Sequence, residues 1–548
     1  MTSIFGIINI GQQAIFANQH AIKITGNNIA NVNTEGYSRQ KAVFESNDFG
    51  LGVDVASIRR MRNDFFDVQK TSGMQKMGYL EIKSGFYTQI EEIFNESNED
   101  GLSASINNFF QSMQDLASNP YGTAERDMAT SQGEILSDMF NLYYKQLEDL
   151  QKDTDSSVKQ TVTQINTLTA RIADLNSKVG FVDAKFPPTA LLDERAQLLN
   201  ELANLADIHY YINDDGAATV FVGGGTTLVE GNTANELKTV INPSNKSYSD
   251  VIMVDHAGIE TKINDKIKGG KLYGLIETRD SIIPGELKKL DTLAATLNLN
   301  LNLQHRQGFG LDGVDGRDFF DMLEVFAQGL NENEGNARVT ASSVTDPTLL
   351  TLDDYEVRFT SAAQYDIVNT TTGATIVAGA AYTSGNAITF DGMSITITNG
   401  STTPQTGDIF EVNSTTNAAK YLSITSDIAD NPQYIAAGLT DADGDNENAV
   451  LLANLEDALL LNNGISNFSD YLSSQIGSIG SHSNVTQQQA LTQEGIMGQI
   501  ENYIASVSGV SLDEEAVNLI LFQRAFEASA KIIQTVDEML LTVLDLKS

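Results

Sequence analysis

The sequence predicts a mixed fold, mainly α-helical with β insertions, in which two long terminal helices pair as a coiled coil. Three patterns predict this fold class: seven-residue apolar repeats at both ends, further helical repeats between them, and a low-charge segment rich in Thr, Ser and Gly in the second half. At roughly 150 residues per domain, 548 residues correspond to three or four domains. Because helical ends enclose the β segments, we expect nested domains with both termini at one end.

The N-terminal 34 residues are almost free of charge. Lys23 is their only charged side chain, although 19% of the whole chain is charged. A seven-residue spacing returns a side chain to nearly the same face of a helix. The isoleucines with this spacing are Ile8, Ile15, Ile22 and Ile29. We predict a helix that protein covers on several sides in the working state; the alternative is an ordinary buried helix of a helical hairpin.

The C-terminal residues repeat the pattern more strongly. The seven-residue stripe and its intervening positions comprise Leu512, Leu519, Phe522, Phe526, Ile533, Val536 and Leu540, and a second apolar stripe contains Val517, Leu521, Ala525, Ala528, Ile532 and Met539. Ser511 can cap the helix, and Glu514 three residues later would complete a capping box. A helix over 512–546 would be about 52 Å long. We expect the two terminal helices to pair and to leave a face for neighbouring subunits.

Helical and β signals alternate in the middle of the chain. Apolar repeats predict helices over about 124–180, 191–206 and 287–303. Alternation on both sides of an Asn-Asp-Asp-Gly turn predicts a β-hairpin over 208–222. Between 341 and 419, Arg358 is the only basic residue, and short alternating runs predict an all-β module. These predicted strands are 355–359, 388–390, 395–397 and 409–412, and helix signals resume near Ala449.

These elements define four predicted domains. They are an inner coiled-coil core, a helical domain, a small β domain and an all-β module. Their boundaries are, in that order, residues 1–60 with 505–548, residues 61–206 with 271–340 and 449–504, residues 207–270, and residues 341–448.

Composition excludes several classes of partner and site. The 34 Lys and Arg against 72 Asp and Glu give a net charge of −38, and such a polyanion would repel nucleic acid. The absence of Cys excludes disulfides, thiolate metal sites and Cys nucleophiles. No run of about 18 apolar residues could span a membrane, and the N-terminus lacks a secretory signal. We therefore expect a cytoplasmic protein, or export by a route that reads no cleavable signal.

The motifs that could carry chemistry are weak. The five His are far apart and form no HExxH motif. Gly223-Gly224-Gly225 lacks the flanking residues of a phosphate loop and predicts a hairpin turn. Asp441, Asp443, Asp445 and Glu447 alternate as in a calcium loop, but Asn446 and Leu452 occupy the positions that need Gly and Glu. We read this segment as a solvated acidic loop and expect no catalytic residue, cofactor or metal.

Two terminal segments resemble a known family. Residues 26–40 (GNNIANVNTEGYSRQ) resemble the N-terminal signature of bacterial flagellar rod, hook and hook-associated proteins, and residues 508–516 and 522–531 resemble the C-terminal signature. Internally, 191–225 and 270–308 are most similar to the hook-associated members. The family usually has Pro where Glu35 stands; because Gly36 still permits the backbone conformation, we expect the turn over 34–40 to form.

The resemblance implies a fold and a set of partners. Terminal helices would line an axial tube, with a helical domain next and β domains outermost. Partners would be further copies in a helical or ring assembly, hook protein, a second protein of the hook–filament junction, and an export chaperone at the C-terminal helix. The implied assembly interface comprises Ile8, Ile15, Ile22, Asn27, Asn28, Ile29, Asn31, Asn33, Gly36, Tyr37, Leu512, Leu519, Phe522, Phe526, Ile533, Val536 and Leu540.

We therefore expect a non-enzymatic structural subunit that joins hook to filament. The resemblance also implies secretion through the flagellar type III apparatus, with neither membrane nor nucleic acid as a partner. One alternative is a hook or rod protein, which would share the terminal signatures and lack the internal matches. The other is a secreted β-rich adhesin, suggested by the low-charge module over 341–419.

Overall fold

The computed structural model describes residues 4–46, 52–95, 101–180, 185–442 and 444–545. Its α-helices are α1 (Ile4–Ala30), α2 (Asp64–Ile93), α3 (Leu102–Ser118), α4 (Thr123–Gly180), α5 (Thr189–Leu205), α6 (Gly270–Glu277), α7 (Ile283–His305), α8 (Ala418–Tyr421), α9 (Ser426–Asp430), α10 (Glu447–Ala453), α11 (Phe468–Ser508) and α12 (Leu512–Asp545). The predicted long helices are confirmed as α1, α4, α5, α7 and α12. The sequence analysis did not delimit α2, α3 or α11.

The strands are all short, and every pairing among the described strands is antiparallel. They are β1 (Gln40–Ser46), β2 (Val53–Arg60), β3 (Ile208–Ile212), β4 (Ala218–Val222), β5 (Thr226–Glu230), β6 (Thr233–Ala234), β7 (Glu236–Ile241), β8 (Ser249–Val254), β9 (Glu260–Lys262), β10 (Phe326–Gly329), β11 (Arg338–Val344), β12 (Tyr355–Ser361), β13 (Gln364–Asn369), β14 (Thr375–Ala381), β15 (Ala387–Phe390), β16 (Met393–Thr398) and β17 (Ile409–Asn413).

The strands form five sheets. A hairpin of β1 and β2 follows α1, and two sheets of order β3-β4-β5-β6 and β7-β8-β9 lie between α5 and α6. The second half of the chain adds a five-stranded sheet of order β10-β17-β12-β13-β14 and a three-stranded sheet of order β11-β16-β15. The predicted hairpin over 208–222 is confirmed as β3 and β4, whose residues Ile208 and Val222 are paired.

The glycine run after β4 is a turn, as the sequence predicts. Gly223, Gly224 and Gly225 have φ of 56°, 75° and 132°, a region of backbone conformation that residues with a side chain rarely adopt. The run connects β4 to β5, which are paired with each other. Its glycines are therefore explained by the backbone of a hairpin.

Three apolar cores hold the molecule together. The first joins α3, the N-terminal part of α4, α7 and the start of α11, with residues such as Phe140 and Leu290. The second packs the C-terminal part of α4, α5 and α6 against the sheets of β3 to β8, with Ile165 and Val220 inside. The third lies between the two sheets of the second half and contains Phe359 and Ile395.

A buried polar layer separates the first two cores. Arg279 lies in a π-helical turn over Thr278–Ile282 that joins α6 to α7, and its side chain is fully buried. Its Nη1 lies 2.7 Å from Asp155 Oδ1, and its Nε lies 2.7 Å from Asp280 Oδ1. Gln151 Nε2 donates to the carbonyl oxygen of Arg279 at 2.7 Å. The paired charges and satisfied hydrogen bonds let this layer remain buried.

Candidate assembly interface

The two terminal helices α1 and α12 lie side by side, in contact along their length. A Cβ atom placed on Gly11 would lie 2.7 Å from Ile533 Cγ1, which is closer than real side chains come. Farther along α1, Ala17 and Ala21 are buried, as is Val536 on α12. Small side chains on α1 therefore allow the two backbones to approach closely.

The predicted isoleucine stripe lies on the flank of this contact. Ile8, Ile15, Ile22 and Ile29 are all half-buried, whereas the fully buried face of α1 carries other residues. That face comprises Ala17, Ala21, Ile24, Thr25 and Asn28. A seven-residue period shows that a helix has an apolar stripe, but the close approach at Gly11 decides which side faces α12.

The predicted α12 residues divide into two groups. Leu519, Phe522, Phe526, Ile533 and Leu540 are half-buried, and Val536 is buried. In contrast, the side chain of Leu512 is 52% exposed at the first turn of the helix. One partner helix covers one side of α12, so in a single subunit most of this stripe stays partly in water.

A second side of α12 is apolar and open. Val517, Ile520, Leu521 and Met539 are each more than half exposed, Ile532 is 45% exposed, and at 3.6 residues per turn these five lie on one side of the helix. Scattered surface apolar residues need no explanation, but contiguous ones mark an interaction surface. We call this set the α12 outer stripe.

Asn28 connects the end of α1 to the start of α12. Its Nδ2 donates to Glu515 Oε2 at 3.0 Å and to the Gln40 carbonyl oxygen at 2.9 Å. Its Oδ1 accepts from the Gln40 N–H at 3.0 Å and from the Tyr37 hydroxyl at 2.8 Å. Burial raises the pKa of Tyr37 to about 12, so the phenol stays protonated and able to donate. Asn28 thus satisfies its amide oxygen and nitrogen within the fold.

The structural role of Glu515 was not predicted from the sequence. Its side chain is 2% exposed, and besides Asn28 it accepts from Arg39 Nε at 2.8 Å. The adjacent Glu514 binds Arg39 Nη1 at 2.7 Å, instead of closing the predicted capping box with Ser511. Ser511 Oγ accepts from the Glu514 N–H at 3.5 Å, a long capping bond. The signal available in the sequence was Arg39 in the N-terminal signature and Glu515 in the C-terminal one. Because these partners are far apart in sequence, the pattern alone did not pair them.

The turn after α1 is anchored on α5. The Ser38 hydroxyl donates to Asp193 Oδ1 at 2.8 Å, and Arg60 Nη1 lies 2.9 Å from the same oxygen. Gln40 Nε2 donates to Thr189 Oγ1 at 2.9 Å. The path of the chain between the terminal helices and the first long helices is therefore fixed by buried polar contacts.

The turn itself forms with Glu35 in place of Pro, as expected. The Tyr37 N–H donates to the Thr34 carbonyl oxygen at 3.2 Å, and Gly36 has φ of 76°. A Cβ on Gly36 would lie 2.2 Å from Gln197 Nε2, so both the backbone and the space require glycine. Gln197 in turn donates to the Glu35 carbonyl oxygen at 2.8 Å.

The remaining signature asparagines make local contacts or face solvent. Asn31 Nδ2 donates to the Asn27 carbonyl oxygen at 2.9 Å, and Asn31 Oδ1 accepts from the Thr34 hydroxyl at 3.1 Å. Asn27 and Asn33 are exposed. Their side chains are therefore free to meet another molecule.

The acidic loop is organised by its own hydrogen bonds. Asp445 Oδ2 accepts from the N–H and hydroxyl of Thr440 at 2.8 and 2.7 Å, and Oδ1 accepts from the Glu447 N–H at 3.0 Å. The Thr440 hydroxyl is the main cause of the lowered pKa of Asp445. Asp443 lies outside the described residues. Among the residues that the structure covers, no three His, Asp or Glu side chains group in a way that could hold a metal ion.

His305 is a packed structural residue. Its Nδ1 lies 2.8 Å from the Arg317 carbonyl oxygen, and its Nε2 accepts from the Ala436 N–H at 2.9 Å. Burial lowers the pKa of His305 to about 4, so the ring is neutral near pH 7.

Within the described ranges, no helix is long and apolar enough to cross a membrane.

Family models match both ends and the middle of the chain. A model described as flagella basal body rod protein matches residues 8–37, and one described as flagellar basal body rod FlgEFG protein C-terminal matches 502–546. A third, described as flagellar hook-associated protein FlgK helical domain, matches 87–320. The terminal helices and the helical middle of the chain thus resemble one class of protein, the rod and hook-associated proteins of the bacterial flagellum.

Within that class, the chain is a homologue of flagellar hook-associated protein 1. It is 28% identical to that protein of Escherichia coli K12, over 96% of this chain and 97% of the relative. The identity to the Salmonella typhimurium LT2 protein is 27%, over 99% of this chain and 100% of the relative. The Bacillus subtilis 168 protein is 25% identical over 98% of both chains.

A solved structure has the same fold. The flagellar hook junction protein FlgK from Burkholderia pseudomallei superimposes with a TM-score of 0.68 at 21% identity. The match covers 80% of this chain and 100% of that one. The helix-rich fold with several antiparallel sheets and a long C-terminal helix is therefore that of FlgK.

Proposed function

We propose that the chain is a non-enzymatic structural subunit of the hook–filament junction that polymerises through α1 and α12. The α12 outer stripe carries this proposal, because it leaves a row of large apolar side chains in water beside an already packed helix pair. Burying such a side chain is worth about 1.5–3 kcal/mol. In a ring or helical assembly, each copy would bury that row against its neighbour.

The two sides of each terminal helix would then have different roles. The close contact at Gly11 and Ile533 holds α1 to α12 within one subunit. We propose that the half-buried isoleucines of α1 and the α12 outer stripe complete a coiled-coil-like packing between subunits. The exposed amides of Asn27 and Asn33 lie at the end of α1, where they can donate to a neighbouring copy.

The nested domain order is part of the proposal. The terminal core would comprise residues 1–60 with 505–548, followed by the helical domain, and the β module over 341–448 would lie outermost. Hook protein would contact one side of the ring and a second junction protein the other. Before assembly, an export chaperone covering the α12 outer stripe would keep it from associating, and the subunit would leave the cell by the flagellar type III route to the extracellular flagellum.

Electron microscopy of cells that lack the gene tests the function. Hooks without filaments are the expected phenotype of a missing junction subunit. Absence of hooks would instead support a hook or rod protein, and intact filaments with lost adhesion would support an adhesin. The match of 87–320 to a hook-associated domain favours the junction.

The polymerisation surface is tested by one matched pair of variants. Leu521→Glu places a carboxylate on the α12 outer stripe, and Gln523→Glu places one two positions along, on the opposite side of the same helix. We expect the Leu521→Glu protein to be secreted and folded and yet to leave hooks without filaments, whereas Gln523→Glu restores motility. Filaments built on Leu521→Glu subunits would show that this stripe is not the contact.

A further inference from the structure

A second row of apolar side chains lies far from the terminal helices, on the outside of α4. Met128, Ile135 and Leu142 are 51%, 44% and 45% exposed, and each is seven residues from the next. At 1.5 Å per residue the row is about 21 Å long. We call these three residues the α4 outer row.

The fold of the subunit does not account for this row. The same stretch of α4 already has a separate core-facing side, on which Leu136, Phe140 and Tyr143 are buried. The α4 outer row lies on the flank of the helix, outside that core. The three large side chains lie in one line along the helix at heptad spacing, about 10 Å from one to the next.

The spacing and the charge describe the molecule that would cover the row. A seven-residue repeat matches a helix running alongside α4 with a slight left-handed supercoil. Asp127, Glu134 and Asp138 are exposed along one edge of the row, and the basic Lys145 follows only at the C-terminal end of that edge. A complementary helix therefore carries apolar residues every seven positions and Lys or Arg on the facing edge.

We propose that the α4 outer row is a docking site for one amphipathic helix of a separate protein, apolar in heptads with a basic edge. A second copy of this chain fits less well, because two α4 outer rows facing each other would bring the like-charged edges of Asp127, Glu134 and Asp138 together. The α12 outer stripe of another copy has Arg524 and Lys531 nearby, but Glu527, Asp537 and Glu538 also lie on that helix. The α12 outer stripe is, in addition, the surface proposed above for polymerisation.

A synthetic helix tests the site on the full-length protein. The probe is about three heptads long, with Leu at the first and fourth positions of each heptad and Lys along one edge; the control probe has Glu in place of every Lys. Fluorescence anisotropy gives each dissociation constant. We expect the Lys probe to bind at least about tenfold more tightly than the Glu probe, with an affinity that falls as salt rises.

Variants locate the binding on the surface. Met128→Gln combined with Ile135→Gln should weaken binding of the Lys probe by about tenfold or more. Leu459→Gln, which changes an equally exposed leucine elsewhere, should leave it within about twofold. Glu134→Gln with Asp138→Asn should reduce the salt dependence and keep the fold, so the test stands even if the apolar double variant is unstable by circular dichroism.

Three results would overturn the proposal. Equal binding of the two probes would remove the charge argument, and unchanged binding by both α4 variants would place the probe elsewhere. Concentration-dependent self-association in analytical ultracentrifugation, abolished by Met128→Gln with Ile135→Gln and retained by Leu521→Glu, would identify a second copy as the occupant. None of these readouts depends on filament assembly, so the proposed junction role can fail or hold independently.

Discussion

At the scale of single residues, the molecule is fixed by a few buried polar groups whose partners are distant in sequence. Asn28 and Glu515 lie at opposite ends of the chain, and Ser38 and Asp193 are 155 residues apart. Leaving one such group unpaired costs about 1–3 kcal/mol, and more for a charge. Removing one of these buried polar groups should therefore destabilise the elements that it connects.

Removing the buried carboxylate should loosen the terminal helices. Glu515→Ala deprives Asn28 and Arg39 of one acceptor each, and we expect about 1.5–3 kcal/mol less stability for the α1–α12 pair. Hydrogen exchange by mass spectrometry should show faster exchange in both helices and no change in the cores. Glu514→Ala is the control, because its carboxylate is 61% exposed and such ion pairs contribute about 0–1 kcal/mol. Equal effects of the two variants would contradict the role of Glu515.

His305 gives the fold a defined pH dependence. Its pKa is about 4 in the folded chain and about 6.5 unfolded, so its contribution is complete above pH 6.5 and is lost as pH falls toward 4. Between pH 7 and 5 this amounts to about 2 kcal/mol. Asp291 acts in the opposite direction, because burial raises its pKa to about 7 and its contribution is lost as pH rises. The difference between wild type and a variant therefore isolates the histidine.

Calorimetric unfolding of wild type and His305→Asn across this range is the measurement. The variant should be less stable near pH 7, since the Arg317 carbonyl and the Ala436 N–H lose their ring partner. Its stability should fall less steeply with acid than that of the wild type. Parallel curves would show that His305 does not titrate with unfolding.

At the scale of elements, hydrophobic period predicts helices better than it predicts their contacts. The start of α12 after Ser511 and the 58-residue span of α4 agree with the sequence prediction. In contrast, the buried face of α1 contains Ala17 and Ala21 and not the predicted isoleucines. This face depends on how closely α12 approaches α1 at Gly11, which the apolar period of a single helix does not show. The strands β11 and β14 were missed, since their side chains are mostly small and exposed and give little alternation.

Ile533 is the element-scale test of the α1–α12 contact. Ile533→Asp removes up to roughly 2 kcal/mol of apolar burial and places a carboxylate over Gly11. We expect a secreted subunit with folded central cores that fails to support filament growth, measured by circular dichroism and motility. Lys531→Gln, exposed two positions away, should be nearly silent. Wild-type swimming by Ile533→Asp would show that this contact is dispensable.

At the scale of the whole molecule, the terminal helices have a small apolar cluster of their own, apart from the three large cores. The three large cores contain no buried residue of α1 or α12; these contribute to a small cluster of Ala21, Ile24 and Ala42 with Phe522 beside it. The order of helical and β segments along the chain was predictable from where helical and alternating patterns change, and their division into four domains stays a prediction. The polar layer around Arg279 was not, because it depends on two helices meeting at one level.

A fragment comprising residues 61–508 should therefore keep the main structure. We expect it to unfold cooperatively, within a few degrees of the main transition of the full chain, because the cores lose no buried member. Differential scanning calorimetry and circular dichroism compare the two. A fragment without a cooperative transition would mean that the terminal pair is needed to fold the middle of the chain.

The uninterrupted course of α4 has a mechanical consequence. Its 58 residues extend about 87 Å through both helical cores, and α6, the π-helical turn and α7 cross the same boundary without a loop. A twist or bend applied to one core therefore reaches the other through backbone hydrogen bonds of two continuous helices. The two cores are therefore joined by two continuous helical segments, which the ion pair of Arg279 and Asp155 holds together. A torque on one core is transmitted to the other without passing through a flexible linker.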